Sequence, residues 1–275
     1  MTAAGNLDPF CRSKDLMMHL SPTRPCLRIF LSLIVAAASA WPGSSLGNTP
    51  GFDAFDELLL QNVRNGFVDY DGIAGDERFI AFVDDLADSP QSALGGPDGG
   101  MAFYLNAYNA LAIQGILDGG SPESPRSRRK FFRKKQYFLL GEPITLEELE
   151  RERIMSMGDP RIHFAIVCAS MSCPRLASRA YRPQQINTQL HEAARRFVND
   201  PTRNRFDLDR RIAFVSKIFE WYADDFAQAG GSVQRYLARF VEDAEVQDAL
   251  RAEEFEMRHV EYDWSLNGYL SGGKN

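Results

Sequence analysis

Apolar positions recur at helical spacing along much of this chain, and a few segments alternate instead. Phe52, Phe55, Leu58 or Leu59, and Asn62 share one face over 52–64, which predicts a helix ended by Asn65-Gly66. A shorter helix is expected over 76–87, followed by a Gly/Pro/Ser-rich loop over 89–100. Residues 101–117 are apolar nearly all round, the pattern of a buried helix. Asn106 and Asn109 stand out within it, because buried amides must find hydrogen-bond partners.

The next segments alternate less regularly. Phe131, Phe132, Tyr137 and Phe138 around a basic cluster, Arg126 to Lys135, suggest a strand emerging from an exposed loop. Thr145-x-x-Glu148 has capping-box spacing and opens a largely charged helix through about Met155. Residues 162–168 alternate with both faces mostly apolar, which predicts a central strand. Pro183 suits the first turn of a helix reaching about Val198. A hairpin follows over 206–215, then a helix capped by Ser216 that bears Phe219, Tyr222 and Phe226. Helices over 232–241 and 244–254 and a strand near 259–262 complete the pattern. Helices and strands run in groups without regular alternation. The expected class is α+β, a single domain with a mostly antiparallel central sheet packed by several helices.

The first forty residues read differently. Arg24 and Arg28 precede an apolar run from Ile29 to Val35, and Ala38-Ser39-Ala40 fits a signal-peptidase site. The run is far shorter than the roughly 20 apolar residues of a membrane anchor. The expectation is a signal peptide over 1–40, cleaved after about Ala40, with translation starting at Met1, Met17 or Met18. A helical part over 41–94 and a core over 95–270 would form a soluble mature product, periplasmic or secreted, with no transmembrane anchor. The chain has 31 Lys+Arg against 37 Asp+Glu, a net charge of −6, and removing the leader makes it more acidic. That balance argues against nucleic acid as a general partner.

Cys11 and Cys26 leave with the leader, so Cys168 and Cys173 are the thiols of the mature chain. In an oxidising compartment they are a candidate disulfide. They are also candidate nucleophiles, because His163 is near in sequence and a thiol needs a base to become thiolate. On a strand, 163 and 168 point to opposite faces, whereas a turn through 169–172 would bring Cys173 back beside His163. The cysteines and one nearby histidine lack the paired spacing of a zinc site, so no metal and no cofactor are expected.

Four motifs in order are similar to the family known as domain of unknown function 547. They are Leu105-Asn106-Ala107-Tyr108-Asn109-Ala110-Leu111, residues 163–176, Ser216-x-Ile218-Phe219-x-Trp221-Tyr222-x-x-Asp225-Phe226, and Tyr262-Asp263-Trp264-Ser265-Leu266-Asn267. The resemblance spans 95–267 and implies a shared fold but no established reaction. Positions on its pattern include Asn106, Tyr108, Asn109, His163, Cys168, Ser172, Cys173, Pro174, Trp221, Asp225, Asp263, Trp264 and Asn267.

Two functional readings stay open. The favoured one is a non-catalytic envelope binding or scaffold domain, with Cys168 and Cys173 joined or buried and with Tyr108, Trp221, Asp225, Trp264 and Asn267 as candidate binding residues. The alternative is a thiol-dependent hydrolase or acyl transferase on peptide-like bonds. There Cys173 is the nucleophile, His163 the base, Asn106 or Asn109 the orienting group, and Asp263 a third member. The partner would be an envelope component or a peptide-like ligand.

Overall fold

The apolar stripe at Phe52, Phe55, Leu58 and Leu59 folds as α1 (Phe52–Asn62), with all four side chains buried. The computed structural model describes residues 51–271, so the expected signal peptide lies outside the described residues. Asn65 and Gly66 both take positive φ, 53° and 81°, and turn β1 (Val63–Arg64) into β2 (Phe67–Asp69) as a two-residue hairpin. After α2 (Tyr70–Ile73), the Asp76 carboxylate caps α3 (Glu77–Asp88). A 3₁₀ turn at Gln91–Leu94 leads into α4 (Pro97–Leu117), whose residues 99–113 are all buried.

The basic cluster forms a helix where a loop was expected, and the strand expected to emerge from it is present at Tyr137–Leu139. Ser124 and Ser127 cap each other reciprocally, and Pro125 occupies the first turn of α5 (Pro125–Arg133). Phe131 and Phe132 are the buried face of this helix. A hairpin of β3 (Tyr137–Leu139) and β4 (Glu142–Ile144) follows. The Thr145–Glu148 capping box then opens α6 (Leu146–Glu148), which runs on through a π-helical turn, Leu149–Ile154.

The expected central strand over 162–168 is also absent. Pro160–Phe164 is a 3₁₀ turn capped by Asp159, and the chain beyond it is irregular. α7 (Ile186–Val198) appears where Pro183 announced it. Next come β5 (Arg205–Asp207), β6 (Ile212–Val215), α8 (Ile218–Trp221), α9 (Ala223–Gly230), α10 (Val233–Leu237) and α11 (Ala244–Arg251). The last strands are β7 (Glu256–His259), slightly earlier than expected, and β8 (Gly268–Tyr269).

The class is mixed helix and strand, but a central sheet does not form. Among the described residues there are three small sheets, ordered β1-β2-β8, β3-β4 and β5-β6-β7. Among the described residues three of the five strand pairings are antiparallel, as the mostly antiparallel expectation has it, and two are parallel, β2 with β8 and β6 with β7. The core is made by helices. Phe164 stacks on Phe226 at 5.6 Å in a cluster with Phe197, Phe219, Tyr236 and Leu237. Among the described residues no helix is long and apolar enough to cross a membrane.

Candidate functional site

Two buried amides on α4 organise the segment that carries the cysteines. Asn109 donates from Nδ2 to the Ala165 carbonyl at 3.0 Å and accepts from the Val167 N–H at 2.9 Å. Asn106 does the same for Tyr181, with 2.9 Å and 2.8 Å bonds to its carbonyl and N–H. Each side chain stands in for a neighbouring strand and satisfies backbone groups that burial would otherwise strand. Both asparagines therefore act on backbone, and Asn109 fixes the chain just ahead of Cys168.

From Cys168 the chain makes a tight turn through Ala169, which takes the left-handed conformation at φ 59°. The Cys173 N–H closes the turn on the Ser170 carbonyl at 3.1 Å. Residues 263–267 run along this loop and hold it. Ser170 bridges Leu266, Met171 donates to Ser265, Ser172 exchanges two bonds with the Asp263 backbone, and Asn267 donates to Ala169. On another side, Arg203 is anchored by Asp200 at 2.8 Å and donates to the carbonyls of Cys173 and Met171. A cleft of about 440 Å³ borders the loop, with Phe67, Met171, Cys173 and Arg203 in its walls.

This scaffold places the two sulfurs 2.6 Å apart as free thiols, with the Cys173 thiol donating to Cys168 Sγ. The Cys168 N–H also donates to Cys173 Sγ at 2.8 Å. Cys173 is buried and Cys168 half-buried. Ser170 Oγ and the Tyr262 hydroxyl lie 3.1 Å and 3.3 Å from Cys168 Sγ. Burial alone would push the Cys168 thiol up, but hydrogen bonds from Cys173, Ser170 and Tyr262 outweigh it and bring the thiol down to about 7. Cys173 goes the other way, pushed well up by burial and by the negative sulfur beside it. One sulfur is thus a stabilised thiolate near neutral pH and the other its proton-bearing partner.

A carboxyl group shares this environment. Glu150, on the π-helical turn, is 1% exposed and accepts from the Tyr222 hydroxyl at 2.5 Å and from Tyr108 at 3.4 Å. Burial pushes it up to about 7 against the pull of Tyr222, and the Cys168 charge raises it further. Tyr222 and Tyr108 are themselves held protonated, first by burial and then by Glu150.

His163 is placed elsewhere. Its Nε2–H donates to Asp225 Oδ2 at 2.8 Å, and its ring stacks on Tyr222 at 3.8 Å. Nδ1 is buried without a hydrogen-bond partner. Burial lowers the His163 pKa despite Asp225, so the imidazole is neutral at pH 7. His163 and Asp225 border a cavity of about 330 Å³ whose lining includes neither cysteine. Cys173 and His163, expected as nucleophile and base, are thus held by different partners.

The other candidates divide similarly. Asp263 turns its carboxylate onto Ser265 and takes part in the loop through its backbone. Asn267 accepts from the Tyr70 hydroxyl at 2.7 Å, tying β8 to α2. Tyr108 reaches Glu150, and Trp221 and Trp264 pack with Tyr262 at 4.8 Å and 4.5 Å. Arg128 of α5 lies over Trp264, 4.0 Å from its ring. Sequence reasoning passed over Glu150, Tyr262, Ser170 and Arg203 as site residues. Glu150 had a signal, because it follows Leu149 and sits four residues each side of Leu146 and Ile154, all three buried. Among the described residues no group of three His, Cys, Asp or Glu is arranged to hold a metal ion.

A mixed helix-and-strand domain with a paired-thiol loop is the class that fold and site define. Within it, the family model described as "Protein of unknown function, DUF547" matches residues 96–198, and the chain resembles that family over this stretch. The match takes in Asn106, Asn109, Glu150, His163 and both cysteines, whereas Trp221, Asp225 and the 262–267 segment lie beyond it. No curated protein and no solved structure matches the chain.

Proposed function

We propose that this domain is a thiol–disulfide exchanger, with Cys168 as the attacking thiolate and Cys173 as the resolving thiol. The observation that carries the reading is the asymmetry of the pair. The thiol of Cys168, the less buried residue, is pulled down to about 7, and the Cys173 thiol donates its hydrogen to it. A fully buried disulfide would serve only structure, and a lone thiolate would lack a way to release a trapped substrate.

The exchange runs in two displacements. Cys168 attacks one sulfur of a substrate disulfide, its bond to that sulfur forms, and the substrate bond breaks. The departing sulfur leaves as a thiolate and takes up a proton. Cys173 then loses its proton and attacks Cys168 Sγ, so the Cys168–Cys173 bond forms and the second substrate sulfur leaves as thiolate. Two electrons pass from the pair to the substrate, and the departing thiolates are protonated by the proton Cys173 gives up and by one from solvent. In reverse, the joined pair oxidises a substrate dithiol. Glu150 titrates in the same range as Cys168, and each negative charge opposes the other. An exported location, the expectation from the leader, supplies a compartment where such a pair cycles.

The test is trapping in the full chain with 2-hydroxyethyl disulfide, followed by intact mass. Cys173→Ala accumulates one adduct on Cys168, Cys168→Ala accumulates none at a comparable rate, and the wild type passes to a chain lighter by two hydrogens. A wild-type pair that stays reduced in excess disulfide, or reacts no faster than an unstructured cysteine peptide, refutes the proposal.

A further inference from the structure

The chain carries a net charge of −6, yet seven of the ten residues from Arg126 to Lys135 are Lys or Arg. Arg126, Arg129, Lys130 and Lys134 are exposed. Among the described residues these four have no ion-pair partner, whereas Arg133 pairs with Glu147 and Lys135 with Asp118. Such a block keeps a positive potential over several ångströms, since salt screens exposed charges over about 8–10 Å.

The block touches the thiol site through a continuous stack. The Arg128 guanidinium, on the same helix, lies 4.0 Å from the Trp264 ring. Trp264 packs at 4.5 Å on Tyr262 and at 5.8 Å on Trp221. The Tyr262 hydroxyl is 3.3 Å from Cys168 Sγ. Trp221, Tyr262 and Trp264 are each half-buried, so flat apolar faces line the way from the cations to the reactive sulfur. On the 261–267 segment Asp263 turns its carboxylate onto Ser265 and Glu261 is exposed, so the cations of α5 outnumber two carboxylates there. A disulfide arriving at Cys168 meets aromatic surface and positive charge together.

We propose that, given the exchange reaction above, the substrates of this site are disulfides whose sulfur is flanked by carboxylates, drawn in by α5 and seated on the Trp221–Tyr262–Trp264 surface. Carboxylate-flanked sulfur occurs in acidic polypeptides and in small dicarboxylate disulfides. Charge-focused sites raise association rates by roughly tenfold or more for ligands of opposite sign, an advantage that salt removes.

The experiment uses the full chain with Cys173→Ala and three probes: 3,3′-dithiodipropionate, 2-hydroxyethyl disulfide and cystamine, which are dianionic, neutral and dicationic. Adduct formation is timed at low and high salt, and each rate is divided by that of an unstructured cysteine peptide. The expected normalised order is dianion, neutral, dication, spanning about tenfold or more at low salt and narrowing at high salt. Adding Arg126→Gln, Arg129→Gln, Lys130→Gln and Lys134→Gln together, with the urea midpoint checked for intact folding, contracts that span. Repeating the comparison with Asp-flanked and Lys-flanked peptide disulfides assigns the source. A wider span for peptides than for small probes means a polypeptide substrate, and an equal span means a small dicarboxylate. Fast reaction with all three probes and no charge order overturns this inference and leaves the exchanger intact. Slow reaction with every probe overturns both.

Discussion

Replacing Glu150 with Gln isolates the cost of keeping a carboxyl beside the thiols. The folded-state value is raised from 4.5 to about 7 by burial. At about 1.4 kcal/mol per unit, that shift is worth about 3 kcal/mol. The sign follows from proton counts. Between about 4.5 and 7 the folded chain holds a proton that the unfolded chain has released, so stability falls as pH rises through that window. It is flat below, where both states are protonated, and flat above, where both are ionised. Gln keeps the oxygen that accepts from Tyr222 and cannot ionise. Urea unfolding of wild type and Glu150→Gln, under reductant, should show similar stability near pH 4. Near pH 7.5 the variant should be the more stable by about 3 kcal/mol. Titrations common to both proteins cancel in the difference. A difference that stays constant across this range, within about 0.5 kcal/mol, refutes the argument that Glu150 is buried and strained toward its neutral form.

The two asparagine clamps should separate stability from reactivity. Asn106→Ala strands the Tyr181 N–H and carbonyl, and Asn109→Ala strands the Val167 N–H and leaves the Ala165 carbonyl only a long bond from the Tyr181 hydroxyl; each costs about 2–4 kcal/mol by urea unfolding, but only Asn109→Ala also alters the alkylation rate of Cys168. Tyr262→Phe removes a donor to Cys168, so the midpoint of its alkylation against pH should rise from about 7 by roughly half a unit to one unit. Gly66→Ala should destabilise by more than about 1 kcal/mol, because φ is +81° and the new Cβ would sit 2.4 Å from Arg175 Cβ. Gly75→Ala, at φ +75° with open space around it, should cost less in the same unfolding assay.

Much of the helical framework was legible from local signals. The stripes of α1 and α3, the all-apolar α4, and Pro183 ahead of α7 each report a preference that packing upholds. The failures share a cause, in which a side chain supplies what a neighbouring segment was expected to supply. Residues 162–168 have the composition of a central strand, yet their backbone groups are met by a 3₁₀ turn and by Asn109. Alternation alone cannot distinguish a strand from any extended segment buried on both sides. The face-parity argument about His163 and Cys168 lapses with that strand. The Ser124-Pro125 start of α5 was visible in the sequence, and the density of cations obscured it. The site was legible in its parts, the cysteines and the asparagines. Its wiring was not, because Tyr262 lies 94 positions from Cys168 and Glu150 was hidden in a run of charged residues.

That separation also sets a clock on the newborn chain. The thiol loop is sheltered by residues 262–267, and Arg203 braces it from the side. A ribosome adding about 5–20 residues per second takes roughly 5–20 s to pass from Cys168 to Tyr262. Throughout that interval both sulfurs lack the partners that residues 262–267 supply and are open to oxidants and to exchange with disulfides. A domain built this way cannot complete its reactive centre until Tyr262 and the residues after it have been added.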